Sequence, residues 1–291
     1  MNPIIAFIKL IRLPNLLIIV LTQYAIRYGI ISTILFNFSG RQDIPGVGLK
    51  MSDLDFFLLS LSTVMIAAAG YIINDYFDVK IDRINRSNKV IVGKHIKRRV
   101  AMGGHLVINA IALFIGAYLA YKMGNWKLIF IQISSIGALW YYSTLFKKQM
   151  LVGNIVVALL AALVPLVVGL YELILQHAVV DDTVNLLLFR LEQYTPFEAV
   201  ETALLTTLNT IFWWVGAFSL FAFIITLTRE IIKIPSGPHY EMISEDVGYI
   251  KLTQFMNTST NEIKASLEAF FNSSTPSEII IKVSPAKSSF S

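Results

Sequence analysis

The sequence has no cysteine, so it can build neither a disulfide framework nor a thiolate metal site, and it carries no redox signature of a compartment. Charge is scarce as well. Charged residues make up 15% of the 291, hydrophobic residues make up 55%, and the mean hydropathy is +0.65. That balance excludes an ordinary water-soluble domain and points to a bilayer. No removable signal peptide is expected either: the opening Met1-Asn2-Pro3-Ile4-Ile5-Ala6-Phe7-Ile8-Lys9 starts weakly basic, but no small-residue cleavage site follows its apolar run. The formal net charge of +5 says little as a sum. In membrane proteins the placement of Lys and Arg among loops carries the topology.

What stands out is Asn74-Asp75-Tyr76-Phe77-Asp78-Val79-Lys80-Ile81-Asp82-Arg83-Ile84-Asn85-Arg86, where three carboxylates follow a long apolar run. On a helix, Asp75, Asp78 and Asp82 fall at i, i+3 and i+7 and project from one face within two turns. Three negative charges there repel one another and call for a cation among them. Oxygen donors without His or Cys suit Mg²⁺, held partly by carboxylates and partly by substrate phosphates. The bases that follow, from Arg83 and Arg86 to Lys89, Lys94, Lys97, Arg98 and Arg99, add positive charge, and the mixture suits a metal-bridged diphosphate. A membrane helix ending at water also carries charge, but that explains Lys and Arg better than three aspartates on one face.

Candidate spans run from about residue 13 to 36, 54 to 73, 100 to 121, 127 to 146, 151 to 171 and 204 to 227, roughly six by length and sparse charge. If they alternate, Lys9, Arg12, the cluster from Lys80 to Arg99, Lys147, Lys148, Arg229 and Lys233 share one side. The positive-inside rule makes that side cytoplasmic, with the N-terminus, the aspartates and the C-terminal tail. Arg27 lies well inside the first span, so it should face the bundle interior or snorkel; as a functional residue it would contact a substrate phosphate. The segment after the fifth span, from about Glu172 to Ala203, is amphipathic around Val184 to Leu191 and suits an interfacial helix.

Composition changes at Ile234-Pro235-Ser236-Gly237-Pro238, which breaks any helix, and a soluble tail is expected over 234–291 after a bundle over 1–233. Gly248 to Phe255 reads as a strand, Ser259 to Phe271 as a helix and Glu278 to Val283 as a second strand. A β-α-β unit of this size buries too little surface to stand alone, so part of it should be disordered.

Further polar residues sit at the same predicted side. Trp140-Tyr141-Tyr142-Ser143-Thr144-Leu145-Phe146-Lys147-Lys148 closes the fourth span: its lysines suit phosphate oxygens, and its aromatic faces would stabilise a developing cation. An interfacial aromatic belt with basic anchors accounts for the same residues. Asn15 and Asn154 are polar groups in apolar company that would also serve as helix cross-links. Arg229-Glu230-Ile231-Ile232-Lys233 ends the sixth span and fits an anchor or a ligand contact equally.

With these pieces in place, residues 1 to about 233 resemble the UbiA family of intramembrane prenyltransferases. The family's first motif, Asn-Asp-x-x-Asp-x-x-x-Asp, is met by Asn74, Asp75, Asp78 and Asp82, and Arg83, Asn85 and Arg86 after it are also similar. Arg12-Leu13-Pro14-Asn15, Tyr142-Ser143 with Lys147-Lys148, and Gly153-Asn154 resemble its weaker signatures. The resemblance implies an all-α polytopic membrane protein, a helical bundle with about six of the family's usual nine transmembrane helices, plus the small β-α-β-like tail. It implies Mg²⁺ as cofactor, held by Asp75, Asp78 and Asp82 with Asn74 beside them. It also implies that Asn15, Arg83, Asn85, Arg86, Tyr142, Lys147, Lys148, Asn154, Arg229 and Lys233 line a site for a polyprenyl diphosphate, with geranylgeranyl as the closest likeness.

The acceptor would be a lipid or an aromatic compound, in a bacterial inner membrane. No nucleic acid is implied and no protein partner is identified. In the family, acids follow Arg-Glu-x-x-Lys to form a second metal cluster, whereas here Ile234-Pro235 follows Lys233. Activity is therefore expected to be impaired, and the alternative is an inactive truncated or fused membrane protein serving as an anchor or binding protein. Glu245 and Asp246 are the nearest crowded acids, beyond Pro235 and Pro238. Residues 240–283 weakly resemble a fragment of the tail-specific serine peptidases that lacks any catalytic residue of that family. A transporter would want its acids near the bilayer midplane, where this sequence has none.

Overall fold

The computed structural model describes residues 3–39, 48–85, 90–191, 197–231, 239–242, 247–252 and 278–283. A short helix α1 (Pro3–Leu10) leads into α2 (Leu13–Tyr24), which continues through a π-helical stretch, Ala25–Ile31, into α3 (Ser32–Phe38). There follow α4 (Asp53–Asn85), α5 (Arg98–Lys122), α6 (Ile129–Thr144), α7 (Met150–Ala178), α8 (Val180–Leu191) and α9 (Phe197–Ile231).

Among the described residues, five helical segments are long and apolar enough to cross a membrane: Leu13–Phe38, Asp53–Val79, Arg98–Lys122, Val152–Ala178 and Phe197–Thr228. The expected fourth span is shorter than the sequence suggested. Its apolar run divides into 3-10 turns at Trp126–Leu128 and Phe146–Lys148 around the 16 residues of α6, fewer than the roughly 20 that span a bilayer. The segment from Glu172 onward is also corrected, because α7 runs on to Ala178 before α8 begins at Val180.

The start of α4 is written locally. The Ser52 hydroxyl accepts a hydrogen bond from the Asp55 amide at 3.1 Å, and Asp53 and Asp55 place negative charge at the helix's positive end. From there α4 packs against α2, α5 and α6, while α7 packs along α9 and beside α6. Between membrane helices, packing has to come from close approach, since lipid tails are as apolar as leucine. Gly169 supplies one such contact: a Cβ there would lie 2.7 Å from Val215 Cγ1 on α9.

Outward faces are apolar, with Ile18, Leu21, Phe114, Trp213 and Phe221 exposed. Inside lie two cores. The larger gathers Ile31, Phe56, Leu59, Leu119, Tyr171 and Leu208 toward the end where α4 begins, and the smaller gathers Leu10, Ile72, Val79, Val92 and Ala101 near where α4 ends.

Among the described residues of the tail, three strands form one sheet, ordered β1 (His239–Met242), β2 (Val247–Leu252) and β3 (Glu278–Val283). β1 pairs antiparallel with β2, and β2 pairs parallel with β3 from Val247 opposite Glu278 to Leu252 opposite Val283. A parallel pair needs a crossover. The expected helix over Ser259 to Phe271 falls in that connection, outside the described residues, as do Ile234 to Pro238. β1 was not expected from the sequence.

Candidate functional site

The aspartate motif lies on the last third of α4, and three separate elements deliver side chains to it. Tyr71, Asn74 and Asp78 recur along one face of α4, with Asp75 beside them. The Asn74 amide donates to Asp78 Oδ2 at 3.1 Å. From the turn between α1 and α2, Arg12 donates to Asp75 Oδ1 at 3.0 Å, and its guanidinium lies 4.9 Å from the centre of the Tyr71 ring. The Asn15 amide donates to the Tyr71 hydroxyl at 3.3 Å, so the first turn of α2 fixes the ring under the guanidinium. From the 3-10 turn after α6, the Lys147 ammonium donates to Asn74 Oδ1 at 3.2 Å and forms an ion pair with Asp78.

These pairs are half in water. Arg12 and Asp75 side chains are 46% and 23% exposed, those of Lys147 and Asp78 39% and 15%. A divalent ion at these carboxylates would draw on the oxygens that Arg12 and Lys147 now hold.

Close packing positions the Lys147 turn. A Cβ on Gly153 of α7 would lie 2.7 Å from the Phe146 carbonyl oxygen and 3.5 Å from a Tyr142 ring carbon, so only glycine lets α7 start this close beneath it. Asn154 follows, half-buried on α7, and Tyr142 is half-buried on α6. An aromatic row backs the motif: Tyr76 meets Phe77, Phe77 meets Trp140 edge-on, and Trp140 lies against His105, whose ring nitrogen is 2.9 Å from the Ala69 carbonyl. Arg98 stacks over the Tyr76 ring at 4.6 Å.

The remaining expected site residues divide cleanly. Asp82, Arg83 and Asn85 lie on the final turns of α4, Lys148 in the 3-10 turn and Arg229 near the end of α9; their positions are given by the backbone alone. Arg86 and Lys233 lie outside the described residues, as do Glu245 and Asp246. Because α7 and α9 run antiparallel and pack along each other, Arg229 shares the end of the bundle occupied by Met150.

Arg27 is corrected as a phosphate contact. It is 2% exposed, as expected for an arginine facing the interior, but it donates to the Met51 carbonyl at 2.6 Å and to Asp53 at 3.0 Å. Asp53 begins α4 and Asp75 is 22 residues on, about 33 Å away at 1.5 Å per residue. Arg12 was the residue missing from the expected set; its signal was the short sequence distance to Pro14 and Asn15. His105, buried behind Trp140, carried no signal at all.

Oxygen donors only, on one helix face, with two cations drawn in from other elements, are a donor set that fits a hard divalent ion. Among the described residues there is no group of three or more His, Cys, Asp or Glu able to hold a metal. Asp75 and Asp78 are the two described carboxylates of the motif, and the Asp82 side chain is outside the description.

The model of the UbiA prenyltransferase family matches residues 46–231. Digeranylgeranylglyceryl phosphate synthase of Sulfurisphaera tokodaii is 36% identical over 114 residues, 39% of each chain, and that of Methanothermobacter thermautotrophicus is 39% identical over 111 residues, 38% of each. The chain thus spans well under half the length of these curated relatives. A solved structure described as giving insights into the biosynthesis of digeranylgeranylglyceryl phosphate synthase in membranes is 18% identical, covering 80% of this chain and 98% of its own, with a TM-score of 0.48.

Proposed function

The chain belongs to the UbiA prenyltransferase family, and from that premise we propose that it is an integral membrane protein that transfers a polyprenyl group from its diphosphate to a lipid acceptor. The observation that carries the reading is the meeting of Arg12, Asn74, Asp75, Asp78 and Lys147, from three elements, at one end of the bundle. Geranylgeranyl is the proposed group, because the relatives named above are digeranylgeranylglyceryl phosphate synthases.

In this reading Asp75 and Asp78, with Asp82 a turn further along α4, hold Mg²⁺. When bound, such an ion would supply Lewis acidity toward the diphosphate leaving group. Lys147 and Arg12 take phosphate oxygens, Asn15 and Tyr71 orient Arg12, and Gly153 keeps the Lys147 turn in place. The allylic C–O bond breaks with its electron pair passing to the diphosphate oxygen. An acceptor oxygen or carbon then bonds to that carbon and loses a proton. Preorganised positive charge around the leaving group is the protein's part in lowering the barrier. In the same reading Phe77, Trp140 and Tyr142 would stabilise the positive charge that develops on the prenyl group.

The roles of Arg83, Asn85, Arg86, Lys148, Asn154, Arg229 and Lys233 as further phosphate or headgroup contacts are part of this proposal, as is the division near Lys233 into bundle and tail. Lys9, Arg12, Arg98, Arg99, Lys147 and Arg229 crowd the site end, which supports a cytoplasmic orientation for it. The relatives named above are archaeal, so the membrane proposed is a plasma membrane and not specifically a bacterial one.

One observation favours a second reading: Ile234-Pro235 stands where the resemblance calls for acids. A chain limited to one aspartate cluster would bind diphosphate weakly and act as a membrane anchor or binding protein. Incubating membranes that contain the protein with radiolabelled geranylgeranyl diphosphate and Mg²⁺ separates the two. Label entering lipid, and lost in Asp75→Ala and Asp78→Ala, is the expected result. No label from verified, membrane-inserted protein would leave the anchor.

A further inference from the structure

Arg12 has the one left-handed backbone among the described non-glycine residues, with φ +53° and ψ +55°. An arginine held there, between α1 and α2, points to function, because such conformations persist only where surrounding structure over-determines them. What surrounds it is specific. The Tyr71 ring lies under its guanidinium, Asn15 holds that ring by its hydroxyl, and Asp75 accepts its hydrogen bond at 3.0 Å. The Pro14 ring in the first turn of α2 stiffens the chain on the other side of the turn. The guanidinium nevertheless stays half exposed, at 46%, so it has room to turn.

Building on the prenyltransferase reading, we infer that Arg12 is an exchange residue: its guanidinium covers Asp75 in the metal-free protein and passes to the diphosphate when a divalent ion claims that carboxylate. A guanidinium and a metal ion compete for the same carboxylate lone pairs, so they cannot both hold Asp75 Oδ1 in full. Without the ion, Arg12 relieves the repulsion between Asp75 and Asp78, a job that Lys147 shares at Asp78. Once the ion binds, the displaced guanidinium keeps its seat on Tyr71 and presents a planar pair of donors to phosphate oxygens, for which arginine geometry is suited. The same side chain thus weakens metal binding alone and strengthens binding of the metal diphosphate. A purely structural arginine has no reason to act with opposite signs on the two ligands.

The test uses the full chain in detergent, with Arg12→Gly and Arg12→Lys beside the parent. Glycine accepts a φ of +53° freely, so removing the charge there does not threaten the local fold. Mn²⁺ affinity is read by electron paramagnetic resonance without diphosphate, and inorganic pyrophosphate affinity by calorimetry with saturating Mg²⁺. Arg12→Gly should bind Mn²⁺ alone about two- to fivefold more tightly, the scale of a half-exposed ion pair. It should bind pyrophosphate with Mg²⁺ about tenfold or more weakly, and Arg12→Lys should recover part of that loss. Unchanged or weaker Mn²⁺ binding by Arg12→Gly overturns the exchange even if pyrophosphate binding falls. A parent protein that takes up Mn²⁺ but no pyrophosphate overturns the prenyltransferase reading, and the exchange with it.

Discussion

The two ends of the bundle handle charge in opposite ways. Where α4 begins, Arg27 and Glu172 are both buried, 3.8 Å apart, and every neighbour closes on them. Glu172 accepts the Lys50 amide at 2.5 Å and the Met51 amide at 3.2 Å, and the Gln176 side chain at 2.9 Å; Gln176 also donates to the Gly48 carbonyl. Where α4 ends, Asp75 and Asp78 are partly wet and hold cations borrowed from Arg12 and Lys147. The large apolar core lies beside the first end, the small one beside the second. A buried network ties the π-helical stretch, the residue 48–52 segment and α7 together; a partly wet one can trade partners. Charge alone does not mark a site. Partly wet, exchangeable pairing does.

Predictions follow from that contrast in descending size. Glu172→Ala leaves Arg27 buried beside empty space and two amides without an acceptor, so it should destabilise the protein by about 3–5 kcal/mol. Thermal melts in detergent would show it, and a parent-like melting temperature would make the dry network dispensable.

Gly153→Ala drives a methyl group into the Phe146 carbonyl, which as backbone cannot swing aside. A loss of about 1–3 kcal/mol is expected, together with weaker pyrophosphate binding because the Lys147 turn is displaced. Equal pyrophosphate affinity in the variant would detach Gly153 from the site.

The smallest effect concerns pH. Burial pushes the Lys50 ammonium below its ordinary 10.5, against the opposing pull of Glu172 and Asp182. Its folded pKa is therefore below its unfolded one, the unfolded chain binds more protons in between, and stability rises as pH climbs through that window toward 10.5. Melts of the parent and of Lys50→Met from neutral to alkaline pH should diverge in that direction, and a parent that loses ground would reverse the assignment.

Much of this was legible in the sequence because bilayers impose length and apolarity. The spans over 13–38, 53–79, 98–122, 152–178 and 197–228 answer to apolar runs that no other environment requires. The motif was legible because Asp75 and Asp78 repeat at helical spacing. Three things were not. The 3-10 turns that shorten α6 depend on local backbone geometry, to which hydropathy is blind. Arg27 looked alike on paper whether it met phosphate or Glu172, since its partners lie 24 and 145 positions away at Met51 and Glu172. Arg12 belongs to the legible stretch Arg12-Leu13-Pro14-Asn15, but its left-handed φ is not encoded in those letters.

The claim that the wet end is the chemical end is tested most directly by the thermal shift of purified protein on adding Mg²⁺ with inorganic pyrophosphate, for the parent and for Asp78→Asn. The account predicts a rise in melting temperature for the parent that needs both additions, and none for Asp78→Asn. A parent that does not respond, or a variant that responds equally, would contradict it.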